Sequence, residues 1–333
     1  MHQARSYIAG HWYESAGTTL CSILNPATGQ SIGQVELIDA AGLNAALAAA
    51  AQGFETWRRR SAYDRAALMR AAVALVRERQ DAIARLMTLE QGKPLAEAAG
   101  EVATAADNTE WMAEEATRAY GRLLVPRTAG ISQAVRREPI GPVAAFCPWN
   151  FPALTPARKI AGALAAGCSL ILKPSEETPL TAQAIVQAFI DAGLPPGVLN
   201  LVYGDARRVS THLIASDVIR KISFTGSTEV GKDLLAQAAR GVKRATMELG
   251  GHAPVIVCDD VDPVQAAKQA VAAKFRNAGQ VCTSPTRFYV QQPVYDAFVR
   301  AFAEAAQALR VGDGLAPGTQ MGPLANQRRL QAM

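Results

Sequence analysis

The sequence predicts an α/β protein whose central part is a doubly wound parallel sheet. After Gly141, apolar segments of strand length such as VAAF, SLILK and RKISF alternate with longer helical segments. These strands are apolar almost throughout, which is typical of parallel strands covered on both faces. Between residues 39 and 120, apolar residues recur at helical spacing, which predicts a layer of helices. We therefore expect ligands at the carboxyl ends of the strands.

Two further patterns flank the alternating region. Between Arg122 and Glu138 the segments are short, β-like and charged, which predicts a hairpin arm with exposed edges suited to subunit pairing. From Gly250 onward, strand and helix segments alternate again and predict a separate α/β unit. Within the central region, Thr178 before Pro179 predicts a helix start, because Thr caps free amides and Pro suits the first helical position.

The composition is typical of a multi-domain globular protein. With 333 residues, 49% of them hydrophobic and 19% charged, the chain exceeds one ordinary core. The net charge of +5 arises from basic residues interleaved with acids, which indicates a solvated surface and argues against nucleic-acid binding. The longest apolar run, residues 160–172, is shorter than the roughly 20 residues that span a bilayer. The N-terminus lacks the apolar core of a secretory signal, so we expect a cytoplasmic protein without membrane association.

The five cysteines are Cys21, Cys147, Cys168, Cys258 and Cys282, an odd and scattered set. They include no C-x-x-C pair and have no matching histidine cluster, so we expect neither a disulfide framework nor a metal site. Cys168 and Cys258 lie in apolar stretches expected to be core, whereas Cys282 lies in a polar, glycine-containing loop and is the candidate reactive thiol. The alternative is inert packing, which is commoner for a cysteine considered alone, and no histidine neighbours Cys282.

Two polar residues follow predicted strands and are candidates for chemistry. Glu248 precedes Leu249-Gly250-Gly251, a flexible turn that leaves its carboxylate facing a cavity as a candidate general base. Asn150 stands in CPWNFP, where two prolines restrict the loop and suit a fixed amide donor of an oxyanion hole. The alternatives are a solvated acid at a strand end and an asparagine that bonds its own turn.

Two strand ends predict a site for an anionic nucleotide. Residues 224–231, FTGSTEVG, follow a strand and open a helix, whose free amides and dipole attract an anion such as pyrophosphate. The spacing is not G-x-G-x-x-G, so a simple turn remains the alternative. Lys173 and Glu176 end another strand at the same predicted edge, where both reach ribose hydroxyls unless they belong to a solvated loop. Because Glu176 would repel a 2′-phosphate, NAD is favoured over NADP.

Five motifs in this order resemble those of the aldehyde dehydrogenase superfamily, over essentially the whole chain: PWNFP, LKPSEETP, FTGSTEVG, MELGG and FRNAGQVCTSPTR. The resemblance implies an aldehyde dehydrogenase-like fold with an NAD(P)-binding domain over residues 1–120 and 142–248. It further implies an oligomerisation hairpin over residues 121–141 and a catalytic domain over residues 249–333. Homo-oligomers are the rule in this family.

The resemblance also implies the chemistry and its residues. Cys282 corresponds to the nucleophile, Glu248 to the general base and Asn150 to the oxyanion donor. The Cys282 thiolate adds to the aldehyde, and Glu248 activates the water that hydrolyses the resulting thioester, without any metal. The positions that match cofactor contacts are Phe146, Trp149, Lys173, Glu176, Gly204, Phe224, Gly226, Ser227 and Leu249.

Within the superfamily, RATMELGGHAPVIV and AKFRNAGQVCTSPTRF most resemble bacterial semialdehyde dehydrogenases acting on succinate semialdehyde and α-ketoglutarate semialdehyde. This likeness implies that Arg158 and Arg287 bind the substrate carboxylate, a role that suits a guanidinium fork. Their alternative is an ion pair at the surface or at the edge of the core. Cys282 is followed by Thr283 and Ser284, so we expect no disulfide switch with a neighbouring cysteine.

Members of the family continue beyond the position that matches Met333, and the resemblance places their E-x-F-G-P segment and final oligomerisation strand there. Three hypotheses follow: an active semialdehyde dehydrogenase, a remnant that binds NAD without turnover, and a thiol-dependent esterase using Cys282, Asn150 and Glu248. Cofactor binding without NADH production would separate the second from the first. Ester hydrolysis without NAD would identify the third.

Overall fold

The computed structural model describes residues 2–15 and 19–333 of the chain. Its strands are β1 (His2–Ala4), β2 (Tyr7–Ile8), β3 (His11–Trp12), β4 (Thr19–Leu24), β5 (Ser31–Leu37), β6 (Arg122–Leu124), β7 (Gln133–Val135), β8 (Val143–Phe146), β9 (Leu170–Lys173), β10 (Leu199–Leu201), β11 (Lys221–Gly226), β12 (Arg244–Leu249), β13 (Ala253–Val257) and β14 (Pro285–Val290). Its α-helices are α1 (Ala40–Trp57), α2 (Ala62–Glu78), α3 (Gln80–Gln91), α4 (Leu95–Ala116), α5 (Leu154–Ala165), α6 (Pro179–Asp191), α7 (Ala206–Ala215), α8 (Thr228–Ala239), α9 (Pro263–Phe275), α10 (Gln292–Gln307) and α11 (Gln327–Gln331). A 3-10 helix covers Arg276–Gly279.

A seven-stranded sheet with the order β12-β11-β8-β9-β10-β2-β3 forms the centre of the molecule. The strands from β12 to β10 are parallel, and β2 pairs with β10 in the antiparallel sense. Starting from β8, the chain builds the sheet outward to β9 and β10, then returns to add β11 and β12 on the other side of β8. The predicted doubly wound sheet is therefore confirmed, and its order reverses between β8 and β11.

The central strands are apolar throughout because both of their faces are buried. Val143 and Ala145 of β8 belong to one core with helices α2 to α6, whereas Ala144 and Phe146 face a second core with α1, α7 and α8. All four residues of β8 and of β9 are buried. Burial of each large apolar side chain contributes about 1.5–3 kcal/mol, so a polar residue in these strands would be costly.

Helix α6 begins at Pro179 as the sequence predicts, but the side chain that satisfies its first amides is a different one. Thr178 does occupy the capping position, but its side chain makes no capping hydrogen bond, so the predicted Thr178 cap is wrong in this respect. The buried Glu90 carboxylate instead accepts hydrogen bonds from the amides of Leu180 and Thr181, each at 2.8 Å. A carboxylate with two oxygens satisfies two free amides of the first turn, which a single hydroxyl does not.

The hairpin and the unit after Gly250 form as separate elements. Strands β6 and β7 pair in the antiparallel sense and expose Leu123 and Val125, whose exposed fractions are 86% and 95%. Strands β13 and β14 pair in parallel, with α9 and α10 packed against them around Phe298. Contrary to its expected place in the core, Cys258 is exposed, because it follows the end of β13. Within residues 2–15 and 19–333, no helix is both long and apolar enough to cross a membrane.

Candidate active site

The loops that follow the parallel strands meet at one edge of the sheet. The loop after β8 carries Asn150, β9 ends at Lys173, and β12 carries Glu248 near its end. The registers place Phe146 beside Lys173 on one side and beside Phe224 on the other. Parallel strands in this register bring the predicted polar residues to the same edge, as expected for a ligand site of an open α/β sheet.

A cavity of about 690 Å³ opens where the strand order reverses, between the ends of β8 and β11 and the helices α7 and α8. Six of the predicted cofactor positions line it: Phe146, Trp149, Lys173, Glu176, Phe224 and Gly226. Arg207 and Arg240 also line it, and neither was selected from the sequence. A cavity with cationic side chains at a strand-order reversal suits the phosphates of a dinucleotide.

The other three predicted cofactor positions do not line this cavity: Gly204, Ser227 and Leu249. Ser227 caps α8, because its hydroxyl accepts a hydrogen bond from the Val230 amide at 3.3 Å. Leu249 packs against α8, since a Cβ placed on Gly231 would lie 2.7 Å from Leu249 Cδ2. A Cβ on Gly204 would lie 2.9 Å from a Val209 methyl. Each of these residues thus has a packing or capping role of its own.

Lys173 and Glu176 form an ion pair in the lining of the cavity, with 2.5 Å between Lys173 Nζ and Glu176 Oε1. The lysine side chain is almost fully buried, whereas the Glu176 side chain is about one quarter exposed. The pair therefore presents an acceptor and a donor side by side, which suits the hydroxyls of a ribose. The residues present at this cavity fit a nicotinamide dinucleotide.

Cys282 lies in the loop between the 3-10 helix and β14 and is exposed. The chain enters this loop through three left-handed residues, Asn277, Ala278 and Gly279, with φ of 51°, 52° and 73°. Left-handed backbone at non-glycine residues costs of order 1–3 kcal/mol each and clusters at functional sites.

The structure brings the Asn150 loop to the Cys282 loop. Asn150 Nδ2 donates a hydrogen bond of 3.0 Å to the carbonyl of Gln280, two residues before Cys282. The amide has a second N–H besides the one that this hydrogen bond uses. The predicted nucleophile and the predicted oxyanion donor therefore lie on two directly bonded loops.

Glu248 also belongs to this region of the molecule. It is exposed on β12, beside Thr225 of β11. Three residues later, a Cβ placed on Gly251 would lie 3.3 Å from the Cys282 carbonyl oxygen. The segment that follows Glu248 thus passes directly against the nucleophile loop.

Lys159 on α5 is a charged group of the site that the sequence prediction missed. Its Nζ donates a hydrogen bond of 3.0 Å to Ser223 Oγ on β11. Burial lowers the pKa of Lys159, and the nearby Cys147 and Glu248 oppose that shift. The signal in the sequence was a lysine directly before the apolar helical segment IAGALAAG.

Cys147 stands close to the site but is unsuited to nucleophilic attack. Burial raises the pKa of the Cys147 thiol to about 11, because the charged form is desolvated. The reactive species of a cysteine is the thiolate, which this environment disfavours. Cys282 is exposed and remains the candidate nucleophile.

The two arginines predicted to bind substrate are both exposed, Arg158 on α5 and Arg287 on β14 beside Pro254. A third arginine, Arg276, was not predicted. Its guanidinium carbon lies 5.6 Å from the ring centroid of Phe151, the residue after Asn150. The structure therefore associates Arg276 with the oxyanion loop, and its position six residues before Cys282 was the available signal.

A profile of the aldehyde dehydrogenase family matches residues 12–333 of the chain. The chain belongs to the aldehyde dehydrogenase family. The resemblance noted from the five motifs is thereby confirmed, and so is an aldehyde dehydrogenase-like α/β fold. Members of this family are NAD(P)-dependent oxidoreductases.

Individual relatives and a solved structure agree with the family profile. The chain is 50% identical over 326 residues to 4-(hydroxymethyl)benzenesulfonate dehydrogenase TsaD1 of Comamonas testosteroni, covering 98% of this chain and 68% of that protein. It is 44% identical to succinate-semialdehyde dehydrogenase [NADP(+)] GabD of Escherichia coli (strain K12), with the same two coverages. The crystal structure of an aldehyde dehydrogenase from Brucella melitensis biovar abortus 2308 superposes with a TM-score of 0.97 at 44% identity, covering 98% of this chain and 68% of that one.

Proposed function

We propose that the chain carries the machinery to oxidise an aldehyde bearing an acidic group to the corresponding acid with NAD(P). The observation that supports this most directly is the hydrogen bond from the Asn150 amide to the Gln280 carbonyl. It holds an oxyanion donor against the loop of an exposed cysteine, which is the arrangement that acyl chemistry at a thiol needs.

In the first stage, the Cys282 thiolate adds to the aldehyde carbonyl carbon and forms a carbon–sulfur bond. The carbonyl oxygen becomes an oxyanion, which the Asn150 amide and the Cys282 backbone N–H stabilise. When bound, a nicotinamide cofactor supplies the hydride acceptor that oxidation to the thioester requires. Residues of the 690 Å³ cavity would hold that cofactor, with Lys173 and Glu176 at its ribose.

In the second stage, Glu248 takes a proton from water, and the resulting hydroxide attacks the thioester carbon. The carbon–sulfur bond breaks, the acid leaves and Cys282 returns as a thiolate. Glu248 is exposed on its strand, so water reaches it directly. Lys159 interacts electrostatically with Glu248, so α5 carries a cation near this carboxylate.

We propose NAD as the preferred cofactor, on the ground that the Glu176 carboxylate repels a 2′-phosphate. Arg207 and Arg240 in the same cavity oppose this preference electrostatically. NADP therefore remains the second cofactor to be compared, especially because one relative carries NADP in its name.

For the substrate we propose an aldehyde with an acidic group at its far end, such as succinate semialdehyde or α-ketoglutarate semialdehyde. The names of the relatives refer to a succinate semialdehyde and to a benzenesulfonate, which share an anionic group. Arg276 beside Phe151 supports this class, since a guanidinium binds carboxylates and sulfonates alike. Arg158 and Arg287 remain candidates from the sequence.

We also propose that the hairpin of β6 and β7 pairs with a second copy of the chain. Its exposed Leu123 and Val125 would be buried by such contact. Exposed apolar side chains on an isolated two-stranded ribbon are typical of an interaction surface.

The test is NADH formation by the purified chain with succinate semialdehyde, α-ketoglutarate semialdehyde and an aromatic aldehyde sulfonate. Cys282→Ala serves as the blank. Turnover that disappears in this variant supports the proposal and ranks the substrates. Cofactor binding without any NADH would contradict it for this chain and favour the hypothesis of a remnant that binds NAD without turnover.

A further inference from the structure

We propose that Asn277 is a positioning residue that fixes the Asn150 amide relative to the Cys282 loop. This inference rests on the proposed acyl chemistry at Cys282. It assigns the geometry of the oxyanion donor to a residue that touches neither the substrate nor the cofactor.

The contacts of the Asn277 side chain carry the inference. Its Nδ2 donates to the Asn150 carbonyl oxygen at 2.9 Å and to the Gln280 carbonyl oxygen at 3.3 Å. The same Gln280 oxygen accepts the hydrogen bond from Asn150 Nδ2 at 3.0 Å. Asn277 therefore contacts the backbone of Asn150 and the acceptor of its side chain at the same time, and the three residues form a closed ring of hydrogen bonds.

Asn277 is itself held from two further directions. Gln91 Nε2 donates to Asn277 Oδ1 at 2.9 Å, and the backbone N–H of Asn277 donates to Glu97 Oε2 at 2.8 Å. The residue is 2% exposed, so these bonds are made without competition from water. Contacts from α3 and α4 thereby fix the position of Asn277, and the Asn277 side chain in turn binds the Asn150 loop and the Cys282 loop.

The backbone of Asn277 adopts a conformation that few residue types tolerate. Its φ of 51° and ψ of 38° lie in the left-handed region, where glycine is unstrained and asparagine is tolerated. Ala278 adopts nearly the same conformation, with φ of 52° and ψ of 34°, but has no polar side chain. Substitutions at Asn277 and Ala278 can therefore distinguish an effect of the left-handed backbone from an effect of the Asn277 side-chain amide.

Lys93 supports the same carbonyl without duplicating this role. Its Nζ donates to the Asn150 carbonyl at 2.9 Å and forms a buried ion pair with Glu101. Glu101 in turn accepts hydrogen bonds from the amides of Ala153 and Leu154 at the start of α5. Lys93 therefore anchors the Asn150 loop to α4 and α5. The contact with the Gln280 carbonyl in the Cys282 loop is made by Asn277.

The test compares two reactions of Cys282 in the full chain. With p-nitrophenyl acetate, the thiolate adds to the ester carbonyl, an oxyanion forms, and p-nitrophenolate leaves to give S-acetyl-Cys282. With iodoacetamide, the thiolate displaces iodide in one step, without an oxyanion. Release of p-nitrophenolate, less that of Cys282→Ala, gives the acetylation rate even where Glu248 hydrolyses the thioester, and peptide mass spectrometry gives the alkylation rate at Cys282 apart from Cys258. The ratio of the two rates reports on the oxyanion donor and cancels changes in thiolate content.

The variants are Asn277→Asp, which keeps the shape but replaces the donor, and Asn277→Gly, which suits the left-handed backbone and removes the side chain. The matched control is Ala278→Gly, which relieves the same backbone conformation and removes no hydrogen bond. We expect both Asn277 variants to acetylate Cys282 about 10–100-fold more slowly while alkylation stays within about twofold, because a displaced oxyanion donor costs up to about 10²-fold. Ala278→Gly should keep the parent ratio.

A double-variant cycle tests whether the effect passes through Asn150. In an Asn150→Ala background, adding Asn277→Gly should slow acetylation no further, since the donor being positioned is already gone. Parent-like acetylation by both Asn277 variants would overturn the inference, and so would an equal loss in Ala278→Gly or a full additional loss in the Asn150→Ala background. A parent chain whose Cys282 alkylates but which releases no more p-nitrophenolate than Cys282→Ala would instead overturn the proposed function, and this inference with it.

Discussion

Replacing Glu101 with glutamine should destabilise the folded chain by about 3 kcal/mol, because it leaves a buried lysine charge without its partner. The side chains of Lys93 and Glu101 are 1% and 3% exposed and lie 2.5 Å apart. This loss of stability is at the lower end of the range for broken buried ion pairs, because in the variant Lys93 Nζ still has two partners. These are the Asn150 carbonyl at 2.9 Å and the Phe151 ring, whose centroid is 4.3 Å away.

The measurement is urea unfolding followed by circular dichroism at pH 7, with the melting temperature as a second readout. A loss of 3 kcal/mol corresponds to a melting temperature lower by roughly 4 °C, because the unfolding entropy of 333 residues is about 0.7 kcal/mol/K. The control is Glu114→Gln, which opens the half-exposed ion pair with Arg70 and should change stability by less than about 1 kcal/mol.

A second variant separates the unpaired charge from other effects. Lys93→Met combined with Glu101→Gln removes both charges and should recover at least half of the lost stability, since a neutral pair leaves no ion desolvated. The reasoning would be refuted if Glu101→Gln unfolded at the parent urea concentration. It would equally be refuted if the double variant lost as much as the sum of the two single variants.

Three further predictions concern single groups. Burial raises the pKa of Glu90 to about 7 from 4.5, so between these values the folded chain keeps a proton that the unfolded chain releases, and stability should fall as pH rises. In urea unfolding between pH 5 and 8, the stability of Glu90→Gln should therefore depend less on pH than that of the parent chain. Parallel stability profiles for the two chains would contradict this. Iodoacetamide at pH 8 should label Cys282 well before Cys147, whose pKa burial raises to about 11; labelling in the opposite order would contradict the assignment of the nucleophile. Glu176→Ser should shift the ratio of NADP to NAD affinity about tenfold toward NADP in fluorescence titrations, and an unchanged ratio would count against the role of this carboxylate.

The sheet was predictable from the sequence because its signal is local. The strands β8 and β9 are continuous apolar segments between helices, and such segments specify buried parallel strands without knowledge of their neighbours. The motifs at the strand ends placed Asn150 and Glu176 at the correct edge for the same reason. Chain order and strand direction decide which edge a loop occupies.

The missed features depend on contacts between residues far apart in the chain. The cap of α6 comes from Glu90, about 90 residues before the amides it binds, so the local signal at Thr178 pointed to the wrong side chain. The contact between Asn277 and Asn150 spans 127 residues, and that between Lys159 and Ser223 spans 64. No periodicity or motif encodes such pairs, because they are fixed only when the layers pack.

The central claim is that Cys282 forms a thioester which Glu248 then hydrolyses. The most direct test is mass spectrometry of Glu248→Gln after incubation with NAD and succinate semialdehyde, compared with Cys282→Ala. The account predicts a succinyl group on the Cys282 peptide that accumulates in Glu248→Gln, because the oxidation proceeds while water is not activated. NADH released with no acyl group on Cys282, or an equal yield of NADH from Cys282→Ala, would contradict it.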